Sequence, residues 1–255
     1  MSAVRMLVVG SCTGRKSVTC DRMLTMDDFR DPGRLRAREA ELAACRVPAW
    51  RLYAGLQHTS MMNGVNIIRK RFGRESVAVA IVSAGYGLVA EDQLLVPYEA
   101  TFNEMGRREA LAWSRHLGIA RDVRAAAKGF PLVVFLVGAR YLDALEPPVI
   151  PQAGQRFIFL AGSGKEGAVG SPGVTVVRSG PEEATTCGSP VIAVKGRMFE
   201  LFARGLAHEG EALWDRLIAD DSPATFMRAV NTGSKSLGSE SMEGMPTRSA
   251  SNRVT

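Results

Sequence analysis

The sequence predicts an α/β protein of three layers, with helices on both sides of a mostly parallel central sheet and more helices after it. Three observations carry this. Short apolar runs recur along the chain, helical apolar spacing fills the gaps between them, and the runs are apolar throughout instead of alternating, which suits strands buried on both faces. With 255 residues and 46% hydrophobic content the chain is long enough for one such domain and a tail.

Strands are expected at 4–10, 77–83 (VAVAIVS), 131–137 (PLVVFLV), 156–160 (RFIFL) and 174–178. Helices are expected at 32–45, 56–72 and 105–128, the last broken at Gly118. Strands alternating with helices make βαβ units and hence parallel pairing. After Val191 the apolar spacing turns helical through Met198, Phe199, Phe202 and Leu206, then Leu213, Trp214, Leu217 and Ile218, then Phe226 and Met227. Residues 196–231 therefore read as a helical extension of the domain at 1–195, packed on the sheet or widening a binding face. The Gly/Ser-rich stretch 232–255 has too few large apolar residues to offset its ordering entropy and reads as a disordered tail.

The net charge of +6 and the pI near 9.4 favour a polyanionic partner, although many basic proteins bind none. Cys12, Cys20, Cys45 and Cys187 are scattered and only His58, His116 and His208 accompany them, so reduced thiols and no metal site are expected. The histidines fall in helical patterns away from the strand-end loops and make no catalytic triad. No apolar run spans a bilayer and the first residues lack signal-peptide features, so a cytoplasmic protein without a cofactor is expected.

The first strand runs into VVGSCTGRKS, residues 8–17. A triphosphate-binding loop reads G-x-x-x-x-G-K-[ST]; here Gly14 comes one residue early and Arg15 intervenes. The later AGSGKE, residues 161–166, has Phe159 where the first glycine belongs and Glu166 where the hydroxyl belongs. Neither supports an NTPase. The first loop remains a strand-end loop in which Ser11, Cys12 and Thr13 supply short donors and Arg15 and Lys16 supply charge. A polar turn with solvated basic residues explains it equally well.

The segment 81–103 ends a strand in Ser83, turns at two glycines, and then carries Tyr86, Glu91, Asp92, Tyr98, Glu99 and Asn103. Carboxylates beside aromatic rings are the equipment for cleaving an N-glycosidic bond: one orients water or stabilises the sugar cation, and a ring stacks. The plainer alternative makes Glu91 and Asp92 turn caps and Tyr98 a core aromatic. Tyr53 and Gly55 open a helix whose far end carries Arg69, Lys70, Arg71 and Arg74, a cluster that tracks a nucleic-acid backbone or is simply solvated. On the next helix Arg107, Arg108, Arg115, Arg121 and Arg124 alternate with Glu109 and Asp122, an ordinary exposed face.

VVGSCTGRK, LYAG, IVSAGYGLVAEDQLLVPYEATFN and VVFLVGARYLDALEP, in this order over residues 4 to 148, resemble bacterial and phage domains of unknown function related to the peroxide-stress protein YaaA. That group is similar in fold to the uracil-DNA glycosylase superfamily, so the resemblance implies a uracil-DNA-glycosylase-like fold and N-glycosylase chemistry on nucleic acid. The superfamily's G-x-D-P-Y and His-Pro-Ser motifs are missing here, so its catalytic roles do not transfer by position. Asp92 is then the first choice for the catalytic carboxylate, with Glu91 and Glu99 behind it. Ser11, Cys12, Thr13, Gly55, Ser83 and Asn103 would line the base pocket, and Tyr53, Tyr86 or Tyr98 would stack. Arg15 and Lys16 would hold the phosphate, with Arg69, Lys70 and Arg71 along the DNA.

The function this implies is a monofunctional DNA N-glycosylase that leaves an abasic site in anti-phage defence. It would excise a hypermodified base such as glucosylated hydroxymethylcytosine from double-stranded phage DNA. The alternatives are a non-catalytic DNA-binding stress protein, and a transglycosylase or nucleoside hydrolase acting on deazaguanine-type bases.

Overall fold

A computed structural model describes residues 4–162 and 170–243, with side chains to Leu237. The chain opens with β1 (Met6–Ser11), β2 (Leu24–Thr25), α1 (Met26–Arg30), α2 (Pro32–Glu41), β3 (Val47–Pro48), α3 (Ala49–Leu52) and α4 (Leu56–Phe72). It continues through β4 (Val77–Ser83), β5 (Gly87–Ala90), β6 (Leu94–Leu95), β7 (Tyr98–Glu99), α5 (Arg107–His116) and α6 (Ile119–Ala127). Then come β8 (Leu132–Phe135), α7 (Ala139–Ala144), β9 (Arg156–Ala161) and β10 (Val174–Arg178). It closes with α8 (Pro181–Thr186), α9 (Val194–Glu209), α10 (Glu211–Ala219) and α11 (Pro223–Glu243).

The central sheet runs β10-β9-β8-β1-β4-β5, all parallel except β5. β1, β4, β8 and β9 are buried along almost their whole length, as apolar runs covered on both faces must be. α4 lies on β1 and β4, α9 packs along α4, and α11 packs along α9 and reaches β10; α5, α6 and α7 form the other layer. The chain leaves β1 toward β4, then returns past it to β8. The crossovers therefore change direction at β1, beside β8, and open α/β sheets place ligands at the carboxyl ends of the strands flanking such a point.

Four expectations need correcting. The helix expected over 32–45 ends at Glu41 and passes into a 3₁₀ turn, Ala43–Cys45. The loop expected after Ser83 contains β5, a four-residue edge strand too short to stand out in a glycine-rich stretch. Cys20 and Cys45 form a disulfide with Cα atoms 6.5 Å apart, so the thiols are not all reduced; Cys12 and Cys187 are free and buried.

The fourth concerns the stretch after 231. α11 continues to Glu243, and only 244–255 lies outside the described residues. Its small residues serve packing instead of disorder: a Cβ on Gly233 would stand 2.0 Å from Leu201 O, and at the same crossing one on Gly205 of α9 would stand 2.0 Å from Ala229 O of α11. Close backbone approach needs residues that composition alone reads as flexible. Phe202 and Phe226 then stack at 4.6 Å across the same helix pair.

Candidate functional site

The loop after β1 is strapped to the segment before α4. Ser17 N donates to Leu52 O (2.9 Å), Ala54 N to Arg15 O (3.1 Å), and Gly55 N to Thr13 Oγ1 (3.2 Å). A Cβ on Gly55 would meet Thr13 Cβ at 2.8 Å, so this approach requires glycine. VVGSCTGRKS and LYAG, 40 residues apart in sequence, thus form one wall at the strand ends.

Within that wall a chain of hydroxyls is buried. Ser83 Oγ lies 2.6 Å from Tyr98 OH, which lies 2.9 Å from Tyr53 OH. Ser83 Oγ also accepts from Gly85 N (3.2 Å) and Tyr86 N (2.9 Å), which uses both its lone pairs. Ser83 must therefore donate to Tyr98, and Tyr98 to Tyr53, leaving the Tyr53 proton at the open end. Burial pushes both phenols well above their ordinary value, so they stay neutral donors. Ser83→Ala would orphan two buried N–H groups and the Tyr98 hydroxyl. We expect a loss of about 2 kcal/mol, or roughly 4–8 °C in a melting scan; an unchanged midpoint would refute the chain.

Lys16 caps this cluster. Its Nζ donates to Thr13 O at 2.6 Å and lies 4.6 Å from the Tyr98 ring centre and 5.6 Å from that of Tyr53. Burial lowers its pKa, opposed by the charges of Cys12 and Glu99. Glu99, next to Tyr98 on β7, lies on the rim of an open cleft of about 810 Å³ that Arg22, Thr25, Asp28, Arg34 and Arg38 also line. Arg34 is tied to Asp28 (2.6 Å) and Arg38 to Glu41.

Across the switch point a second chain joins Cys12 Sγ to Tyr141 OH (3.0 Å) and Tyr141 to Thr101 Oγ1 (3.3 Å). Asn103 stands exposed one turn further, its N–H on Thr101 Oγ1. Gln57 donates to Leu136 O (2.7 Å) and Lys195 to Val137 O, so α4 and α9 both grip the carboxyl end of β8. Burial depresses Lys195 to about 8.

Ser11, Cys12, Thr13, Lys16, Tyr53, Gly55, Ser83, Tyr98 and Glu99 are therefore brought together, with Arg15 exposed at the loop tip. Glu91 and Asp92 are not. Ala90 pairs with Ala80, and the Glu91 carboxylate is clamped by Nη1 and Nη2 of Arg69, whose Nη2 and Nε also donate to Val77 O at the start of β4. Six residues of strand, roughly 20 Å, separate Val77 from Ser83. Arg69, Lys70 and Arg71 lie likewise at the far end of α4, roughly 20 Å from its first turn. Arg71 bonds Ala207 O there, and Lys70 is exposed.

The tyrosines also differ from expectation. Tyr53 and Tyr98 are 2% and 0% exposed, and Tyr86 is half-buried with its hydroxyl on Glu39 (2.9 Å), so none offers a ring face to a ligand. His58 is not remote: it is buried, its ring edge-on to Tyr53 at 5.6 Å. Tyr141, Lys195 and the exposed Trp50 were missed by sequence reasoning. Tyr141 follows an apolar strand closely enough to have been found; Lys195 and Trp50 carry no local signal. Most of the AGSGKE loop lies outside the described residues.

No helix among the described residues is long and apolar enough to cross a membrane, and no His/Cys/Asp/Glu group among them is arranged to hold a metal. No curated protein matches this chain. Residues 43–166, which include Tyr53, Ser83, Tyr98, Glu99 and Tyr141 but not Cys12 or Lys16, match the model of a family of unknown function, DUF6884.

Proposed function

We propose that the chain is a DNA N-glycosylase of the cytoplasm, excising a hypermodified base such as glucosylated hydroxymethylcytosine from double-stranded phage DNA. The observation that carries this reading is the meeting of Lys16 with the Tyr53–Tyr98–Ser83 hydroxyl chain at the carboxyl ends of β1 and β4, where Glu99 follows Tyr98. The motif order shared with YaaA-related domains supports it, as does the charge of +6.

In this reading the flipped nucleotide sits at the strand ends with its phosphate on Lys16 and Arg15. The C1′–N bond breaks with its electron pair going to the base, while water adds to C1′ and passes a proton to the Glu99 carboxylate. Glu99 replaces Asp92 as first choice because it follows Tyr98, whose ring Lys16 covers, whereas β5 carries Glu91 and Asp92 away from Ser83. A half-buried amine also makes Lys16 a Schiff-base nucleophile for a lyase branch.

The test incubates the protein with unmodified and glucosyl-hydroxymethylated DNA, followed by alkali and mass spectrometry of released base. Strand breaks and free base from the modified DNA alone are expected. Binding without abasic sites on any modified substrate would leave a DNA-binding protein instead, and a covalent adduct trapped by borohydride would assign the lyase.

A further inference from the structure

A second groove, of about 590 Å³, runs beside the strand-end site between α4 and the segments at 50–54 and 91–92. One flank is the free face of α4, where Thr59, Met62, Asn63, Asn66 and Arg69 recur at helical spacing. That face is about 15 Å long, from its ten-residue rise. Tyr53 is the wall shared with the strand-end site: it lines the groove, while its hydroxyl ends the buried chain.

Three features set this groove apart from ordinary surface. Trp50 leaves 48% of its surface exposed at the edge, a large ring with an open face. Asn63, Asn66, Arg51 and Arg74 have no hydrogen-bonding or ionic side-chain partner among the described residues, whereas Arg69 and Glu91 neutralise each other. His58, 3% exposed, also lines the groove. Its Nε2 is 2.9 Å from Trp50 O, and a carbonyl only accepts, so Nε2 carries the proton. Nδ1 is then a buried acceptor with no partner.

We infer that this groove binds a strand of nucleic acid flanking the nucleotide held at the strand ends, with Trp50 stacking on a base and Arg51 and Arg74 meeting phosphates. A stacking ring beside unpaired guanidiniums is how single strands are gripped, and amides at Asn63 and Asn66 match base edges. Arg51 and Arg74 outnumber Asp92, the lining carboxylate without an ion pair among the described residues, so the groove favours an anionic ligand, and the chain's positive charge favours a polyanion over a peptide. The inference concerns the same kind of polyanion as the proposed function, in unpaired form, and does not depend on base excision.

The test measures the affinity of a fluorescently labelled 12-mer single strand for the full chain at several salt concentrations. Trp50→Ala is expected to weaken binding about tenfold, and Trp50→Phe to recover most of it. Arg51→Ala with Arg74→Ala is expected to lower the salt slope by about 1.4. Because these side chains are exposed, circular dichroism should match wild type. Unchanged affinity in Trp50→Ala and an unchanged slope in the double variant overturn the inference, whether or not base is released. Weakened binding by a protein that releases no base would uphold it and remove the glycosylase reading alone.

Discussion

Lys16→Met is expected to slow base release about a hundredfold or more while leaving the melting temperature unchanged or raised. The amine stands over the neutral rings of Tyr98 and Tyr53, where burial lowers its pKa, so the fold disfavours its charge. Between that lowered pKa and the unfolded value of 10.5 the unfolded chain binds more protons than the folded one. Stability therefore climbs with pH across that window, and below it the folded state carries the desolvation cost in full. Methionine fills the same space without the charge, so its variant should lack the climb. A buried amine whose charge the site disfavours marks a candidate for chemistry. Glu99→Gln should slow release comparably, and Asp92→Asn less. Rates on glucosylated DNA with melting scans between pH 7 and 11 check this. A variant that melts lower yet releases base at the wild-type rate would make Lys16 structural.

The second large effect is in packing. Gly196→Ala is expected to destabilise the protein by about 3 kcal/mol, lowering its melting midpoint by roughly 6–12 °C. At the crossing of α9 over α4 a Cβ on Gly196 would stand 2.1 Å from Gln57 O and 2.9 Å from its carbonyl carbon. These are backbone atoms that no rotamer change can move. Parting the helices would also loosen Gln57 and Lys195 from the carbonyls of Leu136 and Val137, so base release should fall along with stability. Gly129→Ala, with nothing within 4 Å of its Cβ, is the control and should melt within about 1–2 °C of wild type. Equal midpoints for the two variants would rule out a tight crossing.

The strands and helices were legible because burial leaves a local mark. VAVAIVS and the run at 174–178 are apolar enough to be read to the residue, and so is the helix over 56–72. The strand-end loop was legible for a similar reason: parallel sheets present their carboxyl ends, and VVGSCTGRKS follows one. Less was legible in 81–103. Its carboxylates look like neighbours in sequence, but β5 is antiparallel and carries Glu91 and Asp92 back along β4, away from Ser83. Only the return through β6 and β7 brings Tyr98 and Glu99 up to the site.

The sequence by itself determined the α/β class, the order of most elements and the basic charge, since each depends on residue type and short-range spacing. Tertiary structure decided which polar groups meet. It paired Arg69 with Glu91, buried Tyr98 between Ser83 and Tyr53, and set Lys16 over the Tyr98 ring. It also left Trp50 exposed over a groove with the unpartnered His58 Nδ1. The physical reason is that a side chain's role follows from its burial and its partner, and the partners here lie on other elements, from 15 to 45 residues away for Ser83, Arg69 and Tyr53, on which local spacing carries no information.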